Sequence, residues 1–228
     1  MRIPQSWSKA RLTFVVFAVT VAAWLIAVTL QLEEWAVAWG SFIPGRLTFG
    51  DQAVALAYGL ASPPFAPFWL TPLTMTLVHA GVIHLLFNIL ILIVCGRPVE
   101  SVLGPFGLAV LYLLGAYSAA IAEYLVSPAS LNPTVGASGA MSALLGAYAL
   151  LFGRNKVKVR NPRVAIWLNA LWLLAAWVAL NLIMRVVAGG GAIPGLGSVQ
   201  VAIAAHIGGF LIGIALAWPL LMLRYRKA

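Results

Sequence analysis

The chain of 228 residues is 63% hydrophobic and 8% charged, whereas roughly 25% of residues are charged in ordinary globular proteins. A soluble domain of this size could not bury so much apolar surface, so the composition excludes a soluble protein and predicts a polytopic membrane protein that forms one bundle. The single cysteine, Cys95, excludes an internal disulfide bond. The net charge of +9 could indicate nucleic-acid binding, but no nucleic-acid motif is present.

Six apolar stretches are candidates for membrane-spanning helices. A helix needs about 20 apolar residues to cross a bilayer, within a range of about 17–25. The first stretch is longer than the apolar region of a signal peptide and no clear cleavage site follows it, so it counts as a helix. We predict an all-α fold with six transmembrane helices in a single domain over residues 1–228, at about 12–30, 73–95, 104–126, 138–153, 164–187 and 200–222.

The basic residues indicate the orientation of the chain in the membrane. Only Arg46 and Arg185 lie on the outer side of the six-helix threading. Basic residues are enriched in cytoplasmic loops, so we expect both termini in the cytoplasm and attraction to anionic lipid head groups. The other basic residues all fall on the inner side: Arg2, Lys9, Arg11, Arg97, Arg154, Lys156, Lys158, Arg160, Arg163, Arg224, Arg226 and Lys227.

A long outer connection, residues 31–72, joins the first two helices. Its Trp35, Trp39 and Phe42 have near-helical spacing, which indicates an interfacial segment that lies against the bilayer. Connections of this length are often functional, although a spacer is the alternative.

All three histidines lie near the outer ends of even-numbered helices. His79 and His84 are in helix two, and His206 is in helix six. Polar residues inside a membrane are costly and are therefore functional candidates. Ser138 begins helix four, so the serine and the histidines share one leaflet. His84 and Asn88 are four residues apart and lie on one helical face.

The spacing of the histidines argues against a metal site. His79 and His84 are five residues apart, which turns them about 140° from each other around a helix. A two-histidine zinc site on a helix has its histidines four residues apart with a glutamate between them, and no such motif is present. We therefore predict no metal and no other cofactor.

Small residues form matching stripes on two helices. The stripes are Gly139, Ala143 and Ala147 on helix four and Ala205, Gly209, Gly213 and Ala217 on helix six. Such stripes let two backbones approach closely. Contact between them would bring Ser138 and His206 within reach of each other.

Each of these features has a structural alternative. A Gly-Ala-Ser-Gly segment in an apolar helix is usually a packing motif, and a membrane histidine or asparagine can bond a neighbouring carbonyl. The convergence of a serine, a histidine and a histidine–asparagine pair at one depth favours chemistry instead. These groups are a nucleophile, a base and donors for an oxyanion.

Four segments match the motifs of a known family. They are HAGVIHLLFN (79–88), GRPVESVLG (96–104), GASGAMSALLGAY (136–148) and AHIGGFLIG (205–213), in order over about residues 65–215. Together they resemble the rhomboid intramembrane serine proteases in their basic six-helix bacterial form. The resemblance implies an endopeptidase of the bacterial inner membrane, with its active site open to the outer side. Its substrates would be single-span membrane proteins, cut within their transmembrane helices.

The resemblance also implies residue roles. Ser138 would be the nucleophile and His206 the general base, in a dyad without a carboxylate. His84 and Asn88, together with Gly136, would bind the oxyanion and the substrate. Supporting roles near the site fall to His79, Gly139, Gly209 and Gly213, and gate positions to Phe87 and Trp172.

The chain departs from the family pattern at two positions. Trp69 is followed by Leu70, where the family usually has an arginine, which affects how the first outer loop is anchored. Ser142 stands four residues after the nucleophile, where the family often has a large aromatic that packs on the base. The support of His206 is therefore expected to differ.

Two other classes of function stay open. A catalytically silent rhomboid-like protein would bind transmembrane clients without cutting them, and it should lack the serine or the base, which are both present. A small membrane transporter would more often carry internal repeats, broken helices in both halves or mid-membrane charges, and none is evident.

The charge distribution makes a testable prediction of topology. Reporter fusions should place residues 154–163 in the cytoplasm and residues 188–198 outside, because basic loops stay on the cytoplasmic side. The reverse result would overturn the charge argument and the shared leaflet of the serine and histidines.

Overall fold

The computed structural model describes residues 10–153, 161–189 and 202–226, and within these ranges the chain is helical without a β-strand. Most of the segments 154–163 and 188–198 lies outside the described residues. Short 3-10 turns occur at Phe68–Leu70 and Met75–Leu77, and a π-helical turn at Leu92–Gly96. The described α-helices are α1 (Arg11–Thr29), α2 (Glu33–Gly40), α3 (Gly45–Phe49), α4 (Asp51–Ala57), α5 (Thr71–Thr74), α6 (Val82–Ile91), α7 (Arg97–Val126), α8 (Ser138–Phe152), α9 (Pro162–Gly189) and α10 (Ile203–Tyr225).

Four helical segments are long and apolar enough to cross a membrane, and α8 is a shorter apolar helix. Large apolar side chains such as Phe14, Leu114 and Trp218 are exposed, as expected for helices that face lipid. The prediction of an all-α polytopic membrane fold is confirmed, while the count of six crossings stays a prediction. Within the described residues the four segments are Arg11–Thr29, Val82–Val126, Pro162–Leu180 and Ile203–Tyr225.

The segment Val82–Val126 is divided at Gly104, within α7, into two helical parts, residues 82–103 and 105–126. Gly104 has φ 78° and ψ 173°, outside the helical region, and Pro105 has no N–H for a helical hydrogen bond.

The predicted helix at 73–95 begins too early, because α6 starts at Val82. Val78 has an extended backbone (φ −94°, ψ 128°), which separates α6 from the preceding 3-10 turn.

The centre of the fold is α8, which is enclosed by α7 and α10. Every side chain of α8 from Ser138 to Ala147 is buried. Small residues allow this enclosure: a Cβ on Gly115 of α7 would lie 2.6 Å from the Cβ of Ala143. By contrast, α9 packs mainly on α8 and only lightly on α10.

A buried arginine holds the first outer loop. Arg46, which is 3% exposed, forms an ion pair with Asp51 (2.7 Å) and donates a hydrogen bond to the carbonyl of Ala66 (2.8 Å). Its guanidinium also lies over the ring of Phe65, 4.6 Å from the centroid. Arg46 thus anchors the loop in a chain that has Leu70 at the position where an arginine was expected.

The first outer loop also contacts the segment that leads into α8. The N–H of Phe42 donates to the carbonyl of Thr134 (3.0 Å), and the N–H of Thr134 donates to the carbonyl of Phe42 (2.8 Å). The predicted interfacial segment forms α2, where Trp35 and Trp39 stack with centroids 5.5 Å apart. The loop is therefore part of the wall around the beginning of α8.

A buried carboxylate caps the start of α1. Ala10, at the N-cap, has no side-chain oxygen to accept from the first N–H groups. Glu100 of α7 accepts instead, from the N–H groups of Leu12 (2.9 Å) and Thr13 (2.7 Å) and from the Thr13 hydroxyl (2.6 Å). Its negative charge also suits the positive end of the helix dipole. This contact docks α1 on α7.

We predict that Glu100→Gln destabilises the protein by about 1.5–3 kcal/mol, the range for hydrogen bonds to a charged group. The amide keeps the size of the side chain but removes its charge. Titration with SDS in mixed micelles measures the free energy of unfolding. The matched control is Glu34→Gln, whose exposed carboxylate on α2 should be dispensable. Equal stability of the two variants would mean that the cap does not hold α1.

Candidate active site

Ser138 and His206, the centre of the predicted site, are in hydrogen-bond contact. Ser138 is the first residue of α8, and His206 lies in the first turn of α10. The Nε2 atom of His206 lies 2.9 Å from the Oγ atom of Ser138. Both side chains are buried. In this geometry an imidazole can accept the hydroxyl proton of a serine.

Backbone contact between α8 and α10 sets this distance. A Cβ on Gly209 would overlap the carbonyl oxygen of Gly139, and a Cβ on Gly213 would overlap the carbonyl oxygen of Ala143. Gly139 is pressed in the same way against Ala119 of α7. The two small-residue stripes therefore face each other. Contact with α7 also helps to hold the beginning of α8 in place beside α10.

The ring of His84 lies against the backbone that precedes Ser138. A Cβ on Gly136 would stand 2.5 Å from Cε1 and 2.6 Å from Nε2 of His84. Gly136 also has a φ of 104°, which residues with a side chain rarely adopt. Its N–H donates to the carbonyl of Met75 (2.8 Å). Glycine is required here for both its conformation and its size.

Asn88 lies one turn after His84 on α6 and is buried. Its Nδ2 atom donates to the carbonyl of His84 (2.9 Å). An amide nitrogen carries two hydrogens, so Asn88 has a second N–H to donate. An imidazole and an amide one turn apart can direct hydrogen bonds toward one oxygen atom.

His79 lies beside His84, before the first residue of α6. The two rings are 5.2 Å apart at an angle of 59°. Burial lowers the pKa of His79 to about 3, with a smaller contribution from His84, so the His79 ring is neutral near pH 7. This position suits the structural role that the resemblance implies.

The two predicted gate residues differ in their surroundings. Phe87 is half-buried on α6, whereas the Trp172 side chain is 69% exposed on α9. The tryptophan of α9 that turns toward the candidate site is Trp177, which is 4% exposed.

Trp177, which no sequence motif indicates, contacts the candidate base. Its ring centroid lies 5.7 Å from that of His206, in an edge-to-face pair at 81°. Its indole N–H donates to Oγ of Ser142 (2.8 Å), and the Ser142 hydroxyl donates to the carbonyl of Ser138 (2.7 Å). The sequence contained one signal: a serine at 142, where an aromatic was expected, leaves space beside the base for another side chain.

The second nitrogen of His206 lacks a carboxylate partner. Nδ1 is buried and has no hydrogen-bond partner among the described residues. Within that part of the chain, the ring is therefore oriented by its contact with Ser138 and by packing, without the acidic residue of a Ser-His-Asp triad.

Comparisons with known proteins agree with the four sequence motifs that resemble the rhomboid family. Residues 67–223 match the family model of the Rhomboid domain. Rhomboid protease AarA of Providencia stuartii is 28% identical over a gapped alignment of 243 positions, which covers 97% of this chain and 79% of that protein. Rhomboid protease GlpG of Enterobacter sp. (strain 638) is 29% identical over 179 residues, or 74% of this chain and 55% of that protein.

The relatives from plants and mouse are much longer than this chain. RHOMBOID-like protein 4 of Arabidopsis thaliana is 34% identical over 145 residues, or 64% of this chain. The chain spans between 32% and 45% of the length of this relative and three others from Arabidopsis thaliana and Mus musculus. The family match covers more than half of the chain and includes the candidate site from His79 to His206. The chain is therefore an integral membrane protein that belongs to the rhomboid family.

Proposed function

We propose that this chain is an intramembrane serine endopeptidase that cuts transmembrane helices of other membrane proteins. The main support is the 2.9 Å contact between His206 Nε2 and Ser138 Oγ inside an apolar helical bundle. Similarity to bacterial relatives that carry the name rhomboid protease also supports it. The presence of both side chains argues against a catalytically silent protein.

The proposed reaction is acyl transfer through Ser138. His206 takes the hydroxyl proton through Nε2 while Oγ attacks the substrate carbonyl carbon. The imidazolium then gives the proton to the leaving amine, and an ester remains on Ser138. A water molecule that gives its proton to the same imidazole hydrolyses the ester and restores the serine. Water must reach Ser138, so the site must open to an aqueous side.

The developing charge on the substrate oxygen needs donors that are already in place. We assign this role to the Ser138 backbone N–H, the His84 ring and the Asn88 amide. The close approach of His84 to Gly136 supports the assignment. The beginning of α8 adds a partial positive charge, because the first N–H groups of a helix have no partners within the helix.

The proposed substrates are single-span membrane proteins whose helix unwinds at the cut. Each carbonyl of an intact helix is hydrogen-bonded within the helix, so the peptide bond is protected until the helix opens. The site lies between helices in backbone contact, which favours a small residue next to the scissile bond. No cofactor or metal takes part in the proposed chemistry.

The proposed orientation has both termini in the cytoplasm and the site toward the outer side of a bacterial inner membrane. Leu12, near the start of α1, contacts Glu100, whose carbonyl accepts a hydrogen bond from Arg224 near the end of α10. His206 is at the opposite end of α10. The basic end and the candidate site therefore lie at different ends of this helix.

Ser138→Ala and His206→Ala should each abolish cleavage of a single-span test substrate in proteoliposomes, because the reaction needs both groups. The double variant should be no slower than either single one, since the pair acts as a unit. Ser101→Ala is the matched control, because Ser101 bonds the carbonyl of Pro98 within α7. Near-normal cleavage by folded Ser138→Ala protein would rule out the serine mechanism.

Chemical probes provide a second test of the serine mechanism. A serine-directed fluorophosphonate should label the wild-type protein at Ser138 and leave Ser138→Ala unlabelled. EDTA should not change the cleavage rate. Inhibition by EDTA that zinc reverses would favour a metalloprotease instead.

His84→Ala and Asn88→Ala should lower kcat and leave KM nearly unchanged, because oxyanion donors act mainly in the transition state. Loss of one such donor typically lowers turnover by about 10²–10³, and sharing among several donors would reduce the loss. Leu86→Ala on the exposed face of α6 is the control. A raised KM at unchanged kcat would remove both residues from the oxyanion role.

A further inference from the structure

We propose that Trp177 is a positioning residue for His206. It holds the imidazole with Nε2 at Ser138, and so takes the orienting role that the aspartate has in a Ser-His-Asp triad. This inference rests on the proposed function, because it matters only if His206 acts as the base. The four sequence motifs do not include Trp177, which lies on α9 between the third and the fourth of them.

The candidate base needs support on the side away from the serine. Its Nδ1 atom has no hydrogen-bond partner among the described residues, so the contact of Nε2 with Ser138 is its one polar anchor there. An imidazole held at one nitrogen can turn about its Cβ–Cγ bond unless neighbouring atoms block the rotation. Packing must therefore fix the plane of the ring.

The Trp177 ring provides this packing. It meets the His206 ring edge to face, at 81° and 5.7 Å between centroids. This is one of the preferred arrangements of two aromatic rings. Both side chains are buried, so no solvent layer separates them. The contact limits both the position and the tilt of the imidazole.

A chain of hydrogen bonds fixes Trp177 itself. The indole N–H donates to Oγ of Ser142, and the Ser142 hydroxyl donates to the carbonyl of Ser138. The ring that supports the base is thus tied to the residue that carries the nucleophile. The small Ser142 side chain leaves room for the indole and accepts its hydrogen bond.

The decisive experiment is a double-mutant cycle of Trp177→Phe and Ser142→Ala, with Trp177→Leu as a further variant. For each protein we would measure kcat and KM on a single-span substrate, the rate of fluorophosphonate labelling at Ser138, and the free energy of unfolding. Trp167→Phe, on the exposed face of the same helix, is the matched control and should match the wild type.

Each single change in the cycle should lower kcat and the labelling rate by about 5- to 30-fold, the range for loss of one buried hydrogen-bond partner. KM should not change. The double variant should be no slower than the slower single variant, because both changes break the same bond. Trp177→Leu should lose about 100-fold, the effect of misplacing a catalytic group by about 1 Å, which is more than Trp177→Phe should lose, because phenylalanine keeps an aromatic ring beside His206.

The outcomes separate this inference from the proposed function. If wild-type protein is labelled at Ser138 and Trp177→Leu has the same kcat and labelling rate, Trp177 does not position the base. Single losses that multiply in the double variant, or that appear only in KM or stability, also overturn the inference. If Trp177→Leu does not fold, the cycle alone decides. If wild-type protein is neither labelled nor active, the proposed function fails and this inference fails with it.

Discussion

The direct backbone contact between α8 and α10 is the constraint on which the site depends. In a bilayer, lipid tails are as apolar as leucine side chains, so helices associate through close packing and hydrogen bonds rather than through the hydrophobic effect. At Gly209 and Gly213 this packing leaves no space for even a methyl group. The distance between Ser138 and His206 is therefore set by two rigid helices, and little of it depends on flexible side chains.

The membrane class and the central contact were predictable from the sequence because both depend on repeated local patterns. Long apolar runs determine the class, and small residues at every fourth position predicted where α8 and α10 meet. The start of α6 at Val82 was not predicted, because Leu77 and Val78 extend the apolar run toward the helix although the backbone of Val78 is extended. Nor was the role of Trp177: α9 is rich in tryptophan, and composition cannot tell that Trp177 turns inward while Trp172 is exposed.

The anchoring of the first outer loop has a similar explanation. A buried guanidinium needs acceptors and aromatic faces around it, and Arg46 finds these in Asp51, Ala66 and Phe65. Asp51 is five residues from Arg46, but Phe65 and Ala66 lie about 20 residues away, so no local pattern predicts that this arginine is buried. The paired hydrogen bonds of Phe42 and Thr134 then extend the order of the loop to the beginning of α8. An arginine distant from the candidate dyad thus contributes to its surroundings.

The cap on α1 has a consequence for how the protein is made. Glu100 lies 87 residues after Thr13 in the chain, and chains fold from the N-terminus during synthesis. The helix α1 therefore enters the bilayer before its cap exists, with its first N–H groups hydrated at the membrane surface. Until residue 100 has been synthesised, α1 is an independent helix without its main polar contact to the bundle. Its docking on α7 consequently has to wait until α7 has been made, although α1 precedes α7 by more than 60 residues in the chain.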